Sequence, residues 1–402
     1  MSVSQTYSLL SDRINALAES QTLAMSKKAR ELSAQGIKVI NLSIGEPDFQ
    51  TPQHIKEAAK KAIDDGNSWY TPVPGTLELR QAIAEKLRRE NGMDWKAENI
   101  VVSTGAKQSL ANVLLSLVNP GDEVIIFSPY WVSYSEIVKL AEGVPVLLEG
   151  SFENGFKATA EQLAAAITPR TKVVMYSSPC NPTGAVFTKA ELTAIAEVIA
   201  KHENIFVLAD EIYEYISFND SFFSIGSLDF IKDRVITVNG FSKGFAMTGW
   251  RVGYIAAAKW IADACDKVQG QVTSGTSSIA QKAALVAYTD MAPTRAMAEA
   301  YHRRRDLVVE LVSQIPGVKT YVPDGAFYLF PDISHYLGKT DGKAHIRTAE
   351  DLCLWLLSEA HVSLVTGEAF GAPDCIRISF AASDENLKEA IHRVKETLAK
   401  LH

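Results

Sequence analysis

The segment GFSKGFAMTGWRVGY (240–254) follows directly on the apolar run RVITVN (234–239). Lys243 and Arg251 lie eight residues apart in a segment made mostly of glycine, apolar and aromatic residues. Lysine and arginine are almost never buried unless they have a partner, and they usually lie on polar faces. The segment therefore argues against an ordinary surface role for the two cations, but it does not by itself define a function.

Further short runs rich in valine and isoleucine recur along the chain and are continuously apolar, as expected of strands covered on both faces. Helical patterns separate most of them, including 51–63, 105–118 and 188–202. This alternation predicts an α/β fold in which helices cover a mainly parallel sheet in three layers. The runs are KVINLS (38–43), NIVVST (99–104), EVIIFSP (123–129), KVVMYSSP (172–179), NIFVLAD (204–210), RVITVNG (234–240) and VGYIAAA (252–258).

The pattern changes after a long predicted helix at 292–315. Later strands are expected near 319–330, 361–365 and 375–380, and later helices at 347–359 and 383–400. We therefore expect a large domain at 46–300 and a smaller α+β domain at 301–402, which the long helix connects. Residues 1–45 are expected to join the smaller domain.

Composition excludes several classes of protein. The chain has 402 residues, of which 47% are hydrophobic and 22% charged, and its net charge of −7 offers no basic excess for nucleic acid. The densest basic run, at 303–305, is expected to form a solvated helix face.

The four cysteines have no CxxC spacing, and this absence is typical of free thiols. No histidine pair has metal-ligand spacing. No apolar run has membrane-spanning length, and residues 1–20 lack a signal-peptide core, so we expect a cytoplasmic protein without metal or membrane.

Candidate site residues follow the predicted strands, because ligands of open α/β sheets bind beyond the carboxyl ends of the strands. Gly105, Ala106 and Lys107 open a helix, where free N–H groups bind anions, unless this is an ordinary turn. In PCNPTG, two prolines fix a turn at Asn181, which either caps the turn or donates into the site. Asp210 ends a buried strand and either needs a cationic partner or caps a helix.

Lys243, Asp210 and Arg251 together match the needs of pyridoxal phosphate. A lysine forms a Schiff base with an aldehyde, and a buried aspartate pairs with a protonated pyridine nitrogen. An arginine and helix-end amides hold a phosphate. Each of these groups follows a predicted strand, so the sequence predicts a pyridoxal-phosphate site.

The same segment permits a different class of enzyme. Residues 240–244, GFSKG, satisfy G-x-S-x-G, the nucleophile elbow of α/β-hydrolases, and histidines occur downstream of Ser242. Against this alternative, the chain has no HGGG-type oxyanion segment, and a hydrolase would leave Asp210, Asn181 and Arg251 without a role. The absence of GxGxxG removes a dinucleotide fingerprint as well.

The sequence strongly resembles the class I, fold-type I pyridoxal-phosphate aminotransferases, and among them the bacterial-type aspartate aminotransferases. The resemblance covers almost the whole chain and rests on eight motifs in family order. They are SIGEPDFQTP (43–52), WYTPVPGTLELR (69–80), SPYWVSY (128–134), SSPCNPTG (177–184), ADEIYEY (209–215), SKGFAMTGWRVGY (242–254), GAFYLFP (325–331) and RISFA (377–381). The resemblance implies amino-group transfer from L-aspartate to 2-oxoglutarate in ping-pong half-reactions.

The resemblance also implies roles around the cofactor ring. Lys243 would carry the cofactor and shuttle a proton between the substrate Cα and the cofactor C4′. Asp210 would bind the pyridinium nitrogen, and Tyr213 and Asn181 would hydrogen-bond the phenolate oxygen. Trp131 would stack on the ring.

For the phosphate, the resemblance implies Arg251, the turn at 105–107 and Ser242. Tyr70 matches a tyrosine that reaches the phosphate of the neighbouring subunit, which implies a homodimer with shared active sites.

For the substrate, the resemblance implies that Arg377 clamps the α-carboxylate and that Gly45 lends its backbone to the same region, beside Trp131 and Asn181. The arginine that reads the distal carboxylate in animal-type members has no counterpart in this chain. Lys107 is the candidate for that task, with phosphate neutralisation as its alternative role.

The substrate alternatives are an aromatic amino acid, alanine or a prephenate-related acid. The ESQTLA segment (19–24) resembles the bacterial branch, some members of which accept prephenate, and Arg13 is then a candidate for a second carboxylate.

Overall fold

The computed structural model describes residues 9–18, 21–219 and 222–402, so the start of the ESQTLA segment lies outside the described residues. Its strands are β1 Ile40–Asn41, β2 Ile100–Ser103, β3 Glu123–Ser128, β4 Val144–Glu149, β5 Thr171–Ser177, β6 Phe206–Asp210, β7 Val235–Gly240, β8 Gly253–Ala256, β9 Tyr328–Leu329, β10 Val362–Ser363, β11 Val365–Thr366 and β12 Ile376–Ser379. Its α-helices are α1 Asp12–Asn15, α2 Gln21–Ala34, α3 Gln53–Asp64, α4 Leu77–Asn91, α5 Ala106–Leu117, α6 Ser133–Leu140, α7 Ala160–Ala166, α8 Lys189–Ala200, α9 Lys259–Val272, α10 Ser278–Leu285, α11 Ala292–Ser313, α12 Ala349–Glu359 and α13 Asp384–Leu398.

A seven-stranded sheet forms the centre of the fold, in the order β2-β8-β7-β6-β5-β3-β4. Five neighbouring strands, from β7 to β4, pair in parallel, whereas β8 runs antiparallel to both of its neighbours. The central strands β3, β6 and β7 are buried along their whole length, which accounts for their continuously apolar sequences. The prediction of a mainly parallel sheet is confirmed.

Helices cover both faces of this sheet, as the side-chain alternation of β5 demonstrates. Val173 and Met175 pack towards α5, α6 and α9, whereas Val174 and Tyr176 pack on the opposite face towards α8. Successive side chains of a strand point to opposite faces, so a strand buried on both sides requires two helical layers. The predicted three-layer α/β architecture is therefore confirmed.

One strand prediction for the large sheet needs correction, and one strand of that sheet was missed. The run at 38–43 forms only the short strand β1, which pairs in parallel with β10 and stands outside the large sheet. An apolar run does not reveal which sheet it joins. The edge strand β4 was missed because it is partly exposed and contains Pro145, a residue that strands tolerate at an edge.

The carboxyl-terminal part of the chain has its own small antiparallel sheet, β11-β12-β9. The expected strand at 319–330 is reduced to β9, at the end of that range. Ile40 and Leu42 of the amino-terminal segment share a hydrophobic core with Leu352, Ile378 and Ile391.

Helix starts are set by side-chain caps. The Thr188 hydroxyl accepts from the Glu191 N–H, while the Glu191 carboxylate accepts from the Thr188 N–H, which starts α8. Thr348 and Ser383 cap α12 and α13 in the same way, each accepting from an N–H three residues on. These caps fix the predicted helices to within one or two residues.

Within the described ranges, no helix combines the length and the apolar character needed to cross a bilayer. The four cysteines are buried and unpaired. No group of three or more potential metal-ligating side chains occurs among the same residues.

Candidate active site

A cavity of about 370 Å³ opens at the carboxyl edge of the parallel strands. This is where α/β sheets bind ligands. Most of the predicted site residues line it: Gly45, Ala106, Lys107, Trp131, Asn181, Asp210, Tyr213, Ser242, Lys243, Arg251 and Arg377. The structure therefore brings together groups that are up to 332 residues apart in the chain.

Lys243 follows β7 and points into the cavity. Its Nζ donates a 2.5 Å hydrogen bond to the Gly45 carbonyl oxygen and lies 5.6 Å from the ring centre of Tyr213. Burial lowers the pKa of Lys243 to about 8, and the Arg377 charge acts in the same direction, while Glu46 and Asp210 oppose both. A substantial fraction of the amine is neutral near pH 8, which makes it a nucleophile and a base.

Asp210, at the end of β6, is buried and held at both oxygens. Tyr134 Oη donates to Oδ2 over 2.6 Å, and the Ile212 N–H donates to Oδ1 over 3.2 Å. Burial raises the pKa of Asp210 to about 6, while these two hydrogen bonds act to lower it. The alternative that Asp210 caps a helix is not realised, because turns follow it. Asp210 therefore supplies a buried, oriented carboxylate that is ionised near pH 7.

An anion cradle forms where Arg251 meets the start of α5. Gly105 is the N-cap residue of that helix, with φ of +85°. A Cβ at Gly105 would overlap Arg251 Nη2, so glycine alone lets the guanidinium approach the helix N-terminus. Arg251 Nη1 donates to the Thr248 carbonyl oxygen over 2.8 Å, and Ser242 also lines the cavity. The guanidinium and the free N–H groups of α5 can hold one anion.

Arg377, in β12, is 1% exposed. Its Nη1 donates to Asn181 Oδ1 over 2.9 Å, and its Nη2 donates to the Ser43 carbonyl oxygen over 2.6 Å. Its Nε is buried and has no hydrogen-bond partner among the described residues, which leaves a donor for a bound acid. Asn181 therefore faces Arg377, contrary to the alternative in which it only caps its own turn.

Two further contacts shape the cavity. Lys107 Nζ lies 4.7 Å from the ring centre of Trp131, and burial together with the Arg251 charge lowers the pKa of Lys107. Tyr213 Oη and Tyr328 Oη share a 2.7 Å hydrogen bond. Lys107 therefore lies between the Arg251 guanidinium of the anion cradle and the ring of Trp131.

Two of the predicted site residues do not line the cavity. Gly105 packs against the Arg251 guanidinium without joining the lining. Tyr70 is 98% exposed on the surface. Arg13 also lies outside the lining and pairs with Glu142 over 3.2 Å.

Sequence reasoning missed Tyr134 and Tyr328. Both are fully buried, and both contact predicted residues, Asp210 and Tyr213 respectively. They stand in the motifs SPYWVSY and GAFYLFP, but in sequence a buried tyrosine is indistinguishable from a core aromatic.

The hydrolase alternative lacks the histidine that its catalytic triad requires. The described residues that line the cavity around Ser242 include no histidine. The serine of a G-x-S-x-G elbow works with a histidine as its base, so this site does not fit an α/β-hydrolase.

Comparison with known proteins agrees with the geometry. The profile of the family described as aminotransferase class I and II matches residues 37–394. An aspartate/prephenate aminotransferase from Cereibacter sphaeroides is 48% identical over 398 residues, which cover 98% of this chain and 99% of that protein.

Two solved structures have the same fold over nearly their whole length. The aspartate aminotransferase from Rhizobium meliloti has a TM-score of 0.94 at 43% identity and covers 98% of this chain and 99% of its own. The aspartate aminotransferase from Thermus thermophilus with maleate has a TM-score of 0.91 at 42% identity, with coverages of 96% and 99%. The resemblance carried by the eight motifs is confirmed, and the chain belongs to the aminotransferase class I and II family.

Proposed function

We propose that the protein is a pyridoxal-phosphate-dependent aminotransferase that moves the amino group of L-aspartate to 2-oxoglutarate. The observation that carries the proposal is the convergence of Lys243, Asp210, Arg251 and Arg377 in one cavity. Family membership supports the reaction class, and the names of the similar proteins support aspartate as the donor.

The donor set fits pyridoxal phosphate. When bound, this cofactor supplies an aldehyde that reacts with amines and a ring that delocalises the charge left at a deprotonated carbon. The cavity offers Lys243 for the aldehyde, Asp210 for the ring nitrogen, and Arg251 with the α5 N-terminus for the phosphate. The position of Gly105 supports the phosphate assignment, since a larger residue would displace Arg251.

Three side chains of the protein then have separate roles in the reaction. Lys243 Nζ takes a proton from the substrate Cα, for which its lowered pKa suits it. Arg377 binds the α-carboxylate with its fork of N–H donors, the buried Nε among them. Asp210 keeps the ring nitrogen protonated by offering it a carboxylate that Tyr134 holds in place.

We assign the distal carboxylate to Lys107, whose ammonium lies beside Trp131 in the cavity wall. Maleate, a dicarboxylate, is named with the Thermus thermophilus structure, which supports a site for two carboxylates. The aspartate/prephenate name of the Cereibacter sphaeroides protein keeps a prephenate-related acid as the second candidate substrate.

We further propose a cytoplasmic homodimer in which Tyr70 reaches the partner's cofactor phosphate. Trp69 and Tyr70 are 82% and 98% exposed, which supports a partner surface at this turn. The pairing of β1 with β10 supports the assignment of residues 1–45 to the smaller domain at 301–402.

The first test is a single half-reaction. Protein loaded with pyridoxal phosphate is mixed with L-aspartate in the absence of any 2-oxo acid, and oxaloacetate is measured. The proposal predicts one equivalent per subunit, followed by continuous turnover once 2-oxoglutarate is added. Oxaloacetate absent at every protein concentration would reject the proposal, and a burst with alanine or phenylalanine alone would reassign the substrate.

A further inference from the structure

The arginine run on α11 does not form the solvated face expected from the sequence. Arg303 is exposed, but Arg304 is only 7% exposed. Neighbouring residues of a helix point in different directions, because a turn contains 3.6 residues, so a run of like charges need not share one face. The expectation of a solvated face is therefore wrong for Arg304.

Arg304 of α11 contacts two distant parts of the chain, around Asp48 and at Asp384. Its Nη1 lies 2.8 Å from Asp48 Oδ1, and its Nε lies 3.3 Å from Asp384 Oδ1 at the start of α13. Its guanidinium also lies 5.1 Å from the ring centre of Phe49 and 5.8 Å from that of Tyr301. A buried guanidinium depends on such partners, since each one offsets the loss of hydration.

Asp48 belongs to the segment 43–49, which lines the cavity through Ile44, Gly45 and Glu46 and contacts its cations. The Ser43 carbonyl oxygen accepts from Arg377 Nη2 over 2.6 Å, and the Gly45 carbonyl oxygen accepts from Lys243 Nζ over 2.5 Å. A Cβ at Gly45 would overlap Tyr328 Oη, so the segment lies directly against the cavity wall.

The segment also has little freedom to absorb a shift between Gly45 and Asp48. Pro47 fixes one backbone dihedral there. Glu46 accepts a hydrogen bond from Thr248 Oγ1, another residue of the cavity lining. A displacement of Asp48 would therefore move the carbonyl groups of Ser43 and Gly45.

We propose that Arg304 is a positioning residue, whose ion pair with Asp48 holds the 43–49 segment at the place where it orients Arg377 for the substrate α-carboxylate. The inference rests on the proposed aminotransferase function. Arg304 does not line the cavity and acts through Asp48. If the segment shifts, Arg377 Nη2 loses its carbonyl partner, and the guanidinium turns away from the substrate.

Two matched variants separate positioning from stability. Asp48→Asn and Asp384→Asn each remove one carboxylate from the same guanidinium by an isosteric change, but only Asp48 lies in the 43–49 segment. Both variants are expected to lower the melting temperature. Asp48→Asn is expected to raise the KM for L-aspartate about tenfold or more with a smaller change in kcat, because small misplacements of binding groups are costly.

Two more variants sharpen the test. Arg304→Lys keeps the charge but loses the fork that serves two carboxylates, and it is expected to raise KM as Asp48→Asn does. Arg303→Met removes an exposed charge one residue away and is expected to leave KM unchanged. The dissociation constant of maleate is measured for all variants by calorimetry, so that binding is tested independently of turnover.

Equal KM and maleate affinities in Asp48→Asn and Asp384→Asn would overturn the positioning role and leave Arg304 as a purely stabilising contact. A wild-type protein that binds maleate but forms no oxaloacetate from L-aspartate would reject the proposed function instead. The maleate affinities of the variants would still decide the role of Arg304 in that case.

Discussion

Tyr134 Oη donates a 2.6 Å hydrogen bond to Asp210 Oδ2, and both side chains are buried at the carboxyl edge of the sheet. Burial raises the pKa of Asp210 to about 6, and the Tyr134 hydroxyl limits that rise because it stabilises the charged form. The tyrosine thus helps to keep the carboxylate ionised in an apolar environment.

Tyr134→Phe should move the acid limb of the pH profile of kcat/KM to higher pH. A hydrogen bond to a charged group contributes about 1.5–3 kcal/mol, so its loss should raise the pKa of Asp210 by about one to two units. Tyr130→Phe is the matched control, because Tyr130 Oη bonds to Ser135 and not to Asp210. An acid limb that stays in place in Tyr134→Phe would show that another group keeps Asp210 ionised.

Covalent attachment of pyridoxal phosphate to Lys243 should accelerate as the pH rises through about 8. The neutral amine is the nucleophile, and burial with the Arg377 charge lowers the pKa of Lys243 from the ordinary value of about 10.4. The rate should therefore level off above pH 8, as followed by absorbance after mixing. Lys243→Ala should show no attachment, and a rate that still climbs near the ordinary lysine pKa would contradict the lowered value.

Gly105→Ala should weaken the binding of pyridoxal phosphate and spare that of pyridoxal, which lacks the phosphate. The new Cβ would displace the Arg251 guanidinium from the start of α5. Gly121→Ala is the matched control, since Gly121 also has a positive φ, of +86°, but its Cβ would meet no atom of the described residues within 4 Å. Both variants should lose about 1–3 kcal/mol of stability, measured by urea unfolding, because residues other than glycine rarely adopt a positive φ. Equal losses of affinity for both forms of the cofactor would argue against a phosphate role for this corner.

The chemistry-bearing residues were predictable because they follow buried strands. Asp210 and Lys243 stand out in the sequence as charges at the ends of continuous apolar runs, where an unpartnered charge is costly. Topology then brings the ends of parallel strands to one edge. Pattern and chemistry were therefore sufficient for six of the seven strands of the large sheet and for the cavity groups at the strand ends, whereas Trp131, Tyr213 and Arg377 were expected only from the family resemblance.

The positioning groups were not predictable, because their role depends on distances that spacing does not encode. Tyr134 resembles any core aromatic until its hydroxyl is placed against Asp210. In the sequence Arg304 resembles a surface charge, and only the structure shows its ion pair with Asp48 of the 43–49 segment. Likewise, the partner of β1 is set by tertiary packing around Ile40 and not by its own apolar run.

Lys107→Met should weaken the binding of dicarboxylic substrates selectively. Methionine retains the apolar stem but removes the charge that lies beside Trp131. If Lys107 reads the distal carboxylate, the KM for L-aspartate and for 2-oxoglutarate should rise about tenfold or more, as expected for a lost charge-assisted hydrogen bond. The KM for L-alanine, which has no distal carboxylate, should change little.

If Lys107 instead neutralises the cofactor phosphate, the affinity for pyridoxal phosphate should fall, and the KM should change equally for all substrates. The ratio of the aspartate and alanine effects, measured together with cofactor affinity, therefore decides between the two roles. An unchanged ratio would remove Lys107 from the specificity assignment and show that another group binds the distal carboxylate.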